Sequence, residues 1–329
     1  MDSTRIWLST ALGVVAILGL TLNMIVVGPV FQLALSFRKS SIYVISLVNI
    51  TNDIINLLLH IFYLAPTILF NDSLFPGGKG GDGAVLMGTI FMFTWYLGSL
   101  TQIIMAVNRL LVICVWRQYV FSTKNMVFIF CAVIPAAVLL AYLAQYLLPC
   151  CAFIFDHELY SVSYFVTKNQ FNYPNAFIDL PLNTLTSLTA LVCYTIIIVS
   201  VRKSSRGIIA NMSNVGRRSR RMKEYSHAIQ FCMISIFYTF SWIGFRIFPI
   251  LVKTKEFYIL INIAVCCNSS ANAVVYLVSN IDVRSSLRKS ILCSQRLMDI
   301  LYGQSFTIHH AIHEQNSSQH IPSSKLAKF

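Results

Sequence analysis

The sequence predicts an all-α integral membrane protein, a bundle of seven transmembrane helices, and three observations carry that prediction. Hydrophobic residues make up 56% and charged residues 11% of the 329, and the mean hydropathy is +0.68; no soluble single domain tolerates such a surface in water. Seven charge-poor apolar runs are each long enough to cross a bilayer core of about 30 Å, which takes roughly 20 residues of helix. Lys and Arg gather in alternate connections between those runs, as they do in short cytoplasmic loops.

In chain order the runs predict helices over about 7–35, 42–70, 84–115, 126–148, 177–201, 228–252 and 257–279. No small-residue cleavage site follows the first run, so it reads as a span and not as a signal peptide. The third is about 30 residues long, which implies tilt or extension past the headgroups. Between the second and third, Phe75-Pro-Gly-Gly-Lys-Gly-Gly-Asp-Gly83 is a flexible turn, and Asn71-Asp-Ser73 beside it is a glycosylation acceptor triplet. Asn211-Met-Ser213 shows how readily that triplet arises by chance. The connection from Pro149 to Asn175 has enough polar residues to fold over the mouth of the bundle.

After Ser279, Val283, Leu287, Ile291 and Leu297 or Met298 line one side at helical spacing, opposite Arg284, Arg288 and Lys289. That pattern predicts a short amphipathic helix over 281–298 lying on the membrane surface. Cys293 on it is a candidate for palmitoylation. Residues 1–289 thus form the bundle with the start of this helix, and 303–329, with Ser, His and Gln throughout, read as a disordered tail.

Sidedness follows from charge. Of the 25 basic residues, 19 fall in alternate connections: Arg38 and Lys39; Arg109, Arg117 and Lys124; eight between Arg202 and Lys223; and six after Ser279. The opposite side has Arg5, Lys79, Lys168, Lys253 and Lys255, balanced by Asp72, Asp82, Asp156, Glu158 and Asp179. The amino terminus is therefore expected outside and the carboxyl terminus in the cytoplasm. The net charge of +13 reads as this sidedness and an attraction to anionic lipid, not as nucleic-acid binding. Nine cysteines do not make a disulfide framework, since Cys114, Cys131, Cys193, Cys232, Cys266 and Cys267 sit in or at the ends of apolar runs.

Polar residues inside the runs bear most on function, because each costs several kcal/mol unless it is paired or faces a cavity. Asn23, Asp53 and Asn272 fall at depths where the three can meet. They are either glue between helices or an internal network, bearing water or sodium, that helps switch the bundle between two packings. An enzyme is not expected: there is no embedded Ser/His set, paired Asp or metal-spaced His/Glu group, and His309, His310 and His313 belong to the tail. No metal or cofactor is expected either. A ligand-gated channel or small-solute transporter is the alternative to a receptor, although transporters usually show internal repeats and this sequence has none.

Four motifs narrow the class: Gly19-Leu-Thr-Leu-Asn23, Asp53 within Asn-Asp-Ile-Ile-Asn, Ala106-Val-Asn-Arg109, and Asn272-Ala-Val-Val-Tyr276. Their order and depth resemble those of rhodopsin-like G-protein-coupled receptors. Within that superfamily the chain resembles the nematode chemosensory receptors of serpentine receptor class X. The matching stretches are Ala106-Val-Asn-Arg-Leu110, Cys151-Ala-Phe-Ile-Phe-Asp-His-Glu-Leu-Tyr160, Lys223-Glu-Tyr-Ser-His-Ala-Ile-Gln230 and Asn280-Ile-Asp-Val-Arg284.

The resemblance, from about Gly19 to Lys289, implies a plasma-membrane receptor, sited in sensory neuron cilia, that binds an odorant or pheromone-like small molecule and activates a heterotrimeric G protein. By it Arg109 is the arginine released toward the G protein on activation, with Asn272 and Tyr276 moving in the same switch. Asn108 stands where an acidic neighbour usually locks that arginine, so the lock is looser or supplied elsewhere. Ala273 replaces a proline in helix seven, and Gly244 replaces one in helix six, where Pro249 comes later. No cysteine lies near Ala84, so the usual tie from helix three to the second outer loop cannot form, and Cys150 and Cys151 are left as free thiols or in an unrecognised bridge.

Residues above the polar network on helices three, six and seven outline a ligand pocket: Phe93, Trp95, Tyr96, Trp242, Phe245, Arg246 and Asn262. Aromatic walls suit a small, mostly apolar ligand. Arg246 either holds an anionic group on that ligand, pairs with Asp179 or snorkels outward. On the other face, the loop from Arg202 to Glu224 reads as a G-protein docking surface or as plain positive-inside bias.

Overall fold

The structure, a computed structural model, describes residues 3–35, 41–115, 121–166, 170–208, 215–252 and 254–292. Among these, seven helices are long and apolar enough to cross a membrane: helix one Ser3–Leu35, helix two Ile42–Phe70, helix three Asp82–Val115, helix four Thr123–Leu147, helix five Asn175–Ser200, helix six Tyr225–Phe248 and helix seven Lys255–Ser279. Helix five continues to Ile208 and helix six is already helical from Val215, so both extend beyond their apolar segments. Between them, 209–214 lie outside the described residues. Helix three is the axis of the bundle, touching helices two, four, five and six, whereas helix four turns Phe128, Val138 and Leu139 outward, as a lipid-facing helix must. Two apolar clusters fill the interior, one toward each end, and the polar residues lie between and beside them.

The helices are not uniform. Helix two widens into a π turn at His60–Leu64, immediately before Pro66. A proline has no N–H to donate and its ring crowds the carbonyl four residues back, so the wider turn absorbs both defects. Helix seven is continuous through Ala273. It approaches helix one closely at Gly19, where an added Cβ would overlap the Ser270 hydroxyl. Glycine is required there by contact, not by backbone conformation.

Between helices four and five the chain forms a hairpin, β1 (Phe153–Asp156) paired antiparallel with β2 (Ser161–Tyr164), with Phe153 opposite Tyr164. Phe153, Ile154, Phe155 and Val162 are buried against the bundle. Non-covalent contacts hold this lid where a disulfide to helix three is missing. Gly88 of helix three lies directly beneath the Phe153 carbonyl, so close that a Cβ would overlap it. The Gln145 side chain of helix four pairs with the Phe153 backbone on both sides, donating to its carbonyl at 2.9 Å and accepting its N–H at 2.6 Å. Asn262 of helix seven donates to the Tyr160 carbonyl. Lys79 reaches Asp156 at 2.7 Å and Glu158 at 3.1 Å. Partial burial lowers the Lys79 pKa, but the two carboxylates outweigh that and hold the ammonium above its ordinary value. Cys150 and Cys151, both at positive φ in the link from helix four to β1, are bridged to each other.

After helix seven, Asn280 turns the chain and caps a further helix over 281–292, accepting the Val283 N–H on its side-chain oxygen. Asp282 in its first turn accepts from the Tyr43 hydroxyl of helix two at 3.1 Å. Cys293, the rest of the expected 281–298 helix and the 303–329 tail lie outside the described residues.

Candidate functional site

Three polar or hollow regions lie along the bundle. Nearest its middle, the Asn272 amide of helix seven donates to the Asp53 carboxylate of helix two, both buried. Asn23 does not join that bond. Its amide reaches the backbone instead, donating to Gly19 O at 2.9 Å and Ser269 O at 3.0 Å, one helical turn from Asn272. The close approach at Gly19 brings helix one to the helix-seven carbonyls before its asparagine can reach helix two. The amide oxygens of Asn23, Asn52, Asn56 and Asn272 are buried and have no donor among the described residues. Tyr276, fully buried, donates to Ser46 at 2.7 Å.

At the end of helix three, Arg109 is fully buried and therefore does not snorkel. Its Nε and Nη2 both donate to the Asn108 side-chain oxygen, at 3.1 and 2.5 Å. The guanidinium also lies 5.7 Å from the centre of the Phe231 ring of helix six. The neighbour that carries no charge is itself an acceptor for the arginine, and the hydrogen bond joins a cation to a neutral amide where a carboxylate would give a stronger one.

Toward the hairpin end a cavity opens between helices three, five, six and seven. Helix three contributes Phe91, Met92 and Trp95; helix six contributes Trp242 and Phe245; Asp179, Val265 and Phe153 of the hairpin complete the wall. The cavity is narrow, about 10 Å³, near the room one water needs. Phe153 joins the wall from the hairpin, its ring 5.5 Å from Phe91 and 6.3 Å from Phe245.

Of the seven residues expected to line a pocket, Trp95, Trp242 and Phe245 do so. Phe93 and Tyr96 do not: Phe91, Met92 and Trp95 supply the wall from helix three, and Tyr96 is fully buried beside Tyr164. Asn262 turns its amide N–H to the hairpin backbone, and its buried side-chain oxygen has no donor among the described residues. Arg246 lies off the wall, with Nη1 donating to Asn175 at 2.6 Å and Nη2 paired with Asp179 at 2.8 Å. Of its three expected roles, the structure displays the pairing with Asp179.

A hydrogen-bonded chain runs from that ion pair into the bundle, and the sequence reading passed over its centre. Asn183, fully buried, donates to the Asp179 carboxylate at 2.7 Å. Its side-chain oxygen accepts from Trp95 Nε1 at 3.0 Å, Ser99 Oγ at 3.1 Å and the Tyr238 hydroxyl. One turn deeper, Ser235 of helix six donates to Gln102 of helix three at 2.8 Å. Helices three, five and six are thus tied together by side chains from the cavity wall inward. Spacing could have revealed this: Asp179, Asn183 and Thr186, and equally Trp95, Ser99 and Gln102, recur at three or four residues within apolar helices. Among the described residues no His, Cys, Asp or Glu group could hold a metal ion.

Comparison with known proteins places these features in a family. The sequence model of the family described as "Serpentine type 7TM GPCR chemoreceptor Srx" matches residues 14–280. Among solved structures, squid rhodopsin superposes with a TM-score of 0.70 at 16% identity, covering 99% of this chain and 94% of that one. At that identity the likeness speaks to the fold. No curated protein sequence matches significantly.

Proposed function

This chain belongs to the Srx family of serpentine seven-helix chemoreceptors, and from that premise we propose that it binds a small, mostly apolar molecule in the cavity behind Phe153 and passes the signal to a heterotrimeric G protein at the Arg109 end. The family is one of G-protein-coupled receptors and not of enzymes. The observation that carries the proposal is Arg109: a fully buried cation, bonded through two nitrogens to Asn108 and set against Phe231 of helix six. Because this cation packs between helix three and Phe231 of helix six, parting of those helices would open it to new acceptors. The Asp53–Asn272 bond, with acceptors left over around it, supports a core that can re-pair during that movement.

The charge distribution supports an orientation with the hairpin and Asn71 outside, which makes Asn71 a glycosylation site, and with the end of helix seven toward the cytoplasm; Cys293, outside the described residues, is the proposed palmitoylation site. The plasma membrane is the proposed location and the sensory cilium the proposed compartment. Expression with a promiscuous G protein tests the reading. Arg109→Ala should abolish signalling while surface copies persist; undiminished signalling from this variant would refute the assigned coupling role. Asn108→Asp should lower ligand-free signalling several-fold, because it adds the attraction of opposite charges to a bond now made to a neutral amide, and an unchanged baseline would show that Asn108 does not set the resting state. Tags at both termini, read on intact cells, separate the receptor from a seven-helix channel or transporter: an inside amino terminus would favour the latter.

A further inference from the structure

We infer that the cavity selects neutral ligands bearing a hydrogen-bond acceptor, a carbonyl or ether oxygen on a short apolar frame, and disfavours both carboxylates and amines. This inference rests on the cavity being the ligand site and names what that site takes. The polar groups on or beside the wall divide into those already matched and those still open. Asp179 lines the cavity, but each of its oxygens has a donor, Asn183 Nδ2 on one and Arg246 Nη2 on the other. Trp95 also lines it, and its indole N–H is spent on Asn183. Trp242 is different: it lines the cavity, and its buried indole N–H has no acceptor among the described residues. The open valence on the wall is therefore a donor.

A buried donor without a partner carries its full desolvation cost, so a ligand that supplies an acceptor gains what water or nothing else provides there. An alkylammonium has no acceptor to offer and would compete with Arg246 for a carboxylate already paired. A carboxylate ligand would carry acceptors, but it would enter an apolar cavity beside the Asp179 carboxylate, and like charges in a low dielectric repel. Arg246 offsets little of this, because its two Nη groups are held by Asn175 and Asp179 and its unpartnered Nε belongs to a side chain that does not line the cavity. A neutral ketone, aldehyde, ester or ether meets the N–H without the charge. The cavity has room for about one water, so wall side chains such as Phe153 on the hairpin must shift to admit even a six-carbon molecule, and binding is coupled to the lid.

The test uses the full receptor in lipid nanodiscs and four six-carbon probes: 2-hexanone, hexanoate, hexylamine and hexane. Affinity is read by thermal shift and by direct titration. 2-Hexanone should bind at least tenfold more tightly than hexanoate or hexylamine. Trp242→Phe should weaken 2-hexanone about tenfold, or 1.4 kcal/mol, and leave hexane unchanged. Equal or tighter binding of hexanoate or hexylamine, unchanged 2-hexanone affinity in Trp242→Phe, or no binding of 2-hexanone to folded receptor would each overturn the inference. If Trp242→Phe does not fold, the ranking of the probes on the native receptor still decides. The Arg109→Ala signalling result does not depend on ligand class, so this inference can fail while the coupling proposal stands.

Discussion

Replacing Arg246 with glutamine is expected to cost the folded receptor about 3–5 kcal/mol and most of its surface copies. The guanidinium is the charged partner of Asp179, which is only 5% exposed. Its loss leaves the Asp179 carboxylate buried near the hairpin end with the Asn183 amide as its remaining side-chain donor. A buried ion pair can contribute little net stability while either half left alone is costly, since desolvation has already been incurred for both. The expectation therefore includes a rescue: Asp179→Asn added to Arg246→Gln should recover most of the loss, because an amide needs no counter-charge. Thermal unfolding in detergent and surface staining measure both variants. A single variant as stable as the native protein would mean that water reaches the pair. Failure of the double variant would assign Arg246 a further partner whose loss is the real cost. Ligand response in the rescued variant also separates structure from recognition, since a receptor that used Arg246 to grip its ligand would fold again without responding.

Much of this arrangement could be read from the chain alone, and the parts that could not share a physical reason. Span lengths are properties of composition over twenty or more residues, and lipid enforces them strongly. Asp53 and Asn272 were legible because a carboxylate and an amide in apolar helices at matching depth have few places to go. Phe93 was legible as an aromatic but not as lying off the cavity wall. Helix three carries aromatics at 91, 93, 95 and 96, so hydrophobicity alone does not fix its inward face. Only its polar partners, Trp95 and Ser99 on Asn183, reveal which side faces inward. Phe153 lay furthest from reach, because a loop residue enters the cavity through long-range contacts that no local pattern encodes. The gap left by the missing cysteine near Ala84 was visible, whereas its non-covalent replacement, one glycine and one glutamine on two helices, was not.

That replacement makes a second large effect expected. Gln145→Leu should loosen the hairpin by about 2–4 kcal/mol, since it leaves the Phe153 N–H and carbonyl buried without the partners they now have. Gly88→Val should do the same by a different route: any Cβ at this position overlaps the Phe153 carbonyl, and the obstruction is backbone, which cannot rotate aside. Hydrogen exchange at 153–156 and 161–164 is the direct measure. Protection there should fall by roughly thirty- to a thousandfold, at tenfold per 1.4 kcal/mol, while the middle of helix three keeps its protection. Lys79→Ala is the contrast. Its ion pairs are partly exposed, and pairs of that kind contribute about 1 kcal/mol or less, so exchange should rise at most several-fold. If Gln145→Leu behaves no differently from Lys79→Ala, the hairpin is held by burial of Phe153 and Phe155 alone, and the side-chain clamp is incidental. If the expected order holds, the Gln145 amide and the close approach at Gly88 contribute more to holding the hairpin than the Lys79 ion pairs do.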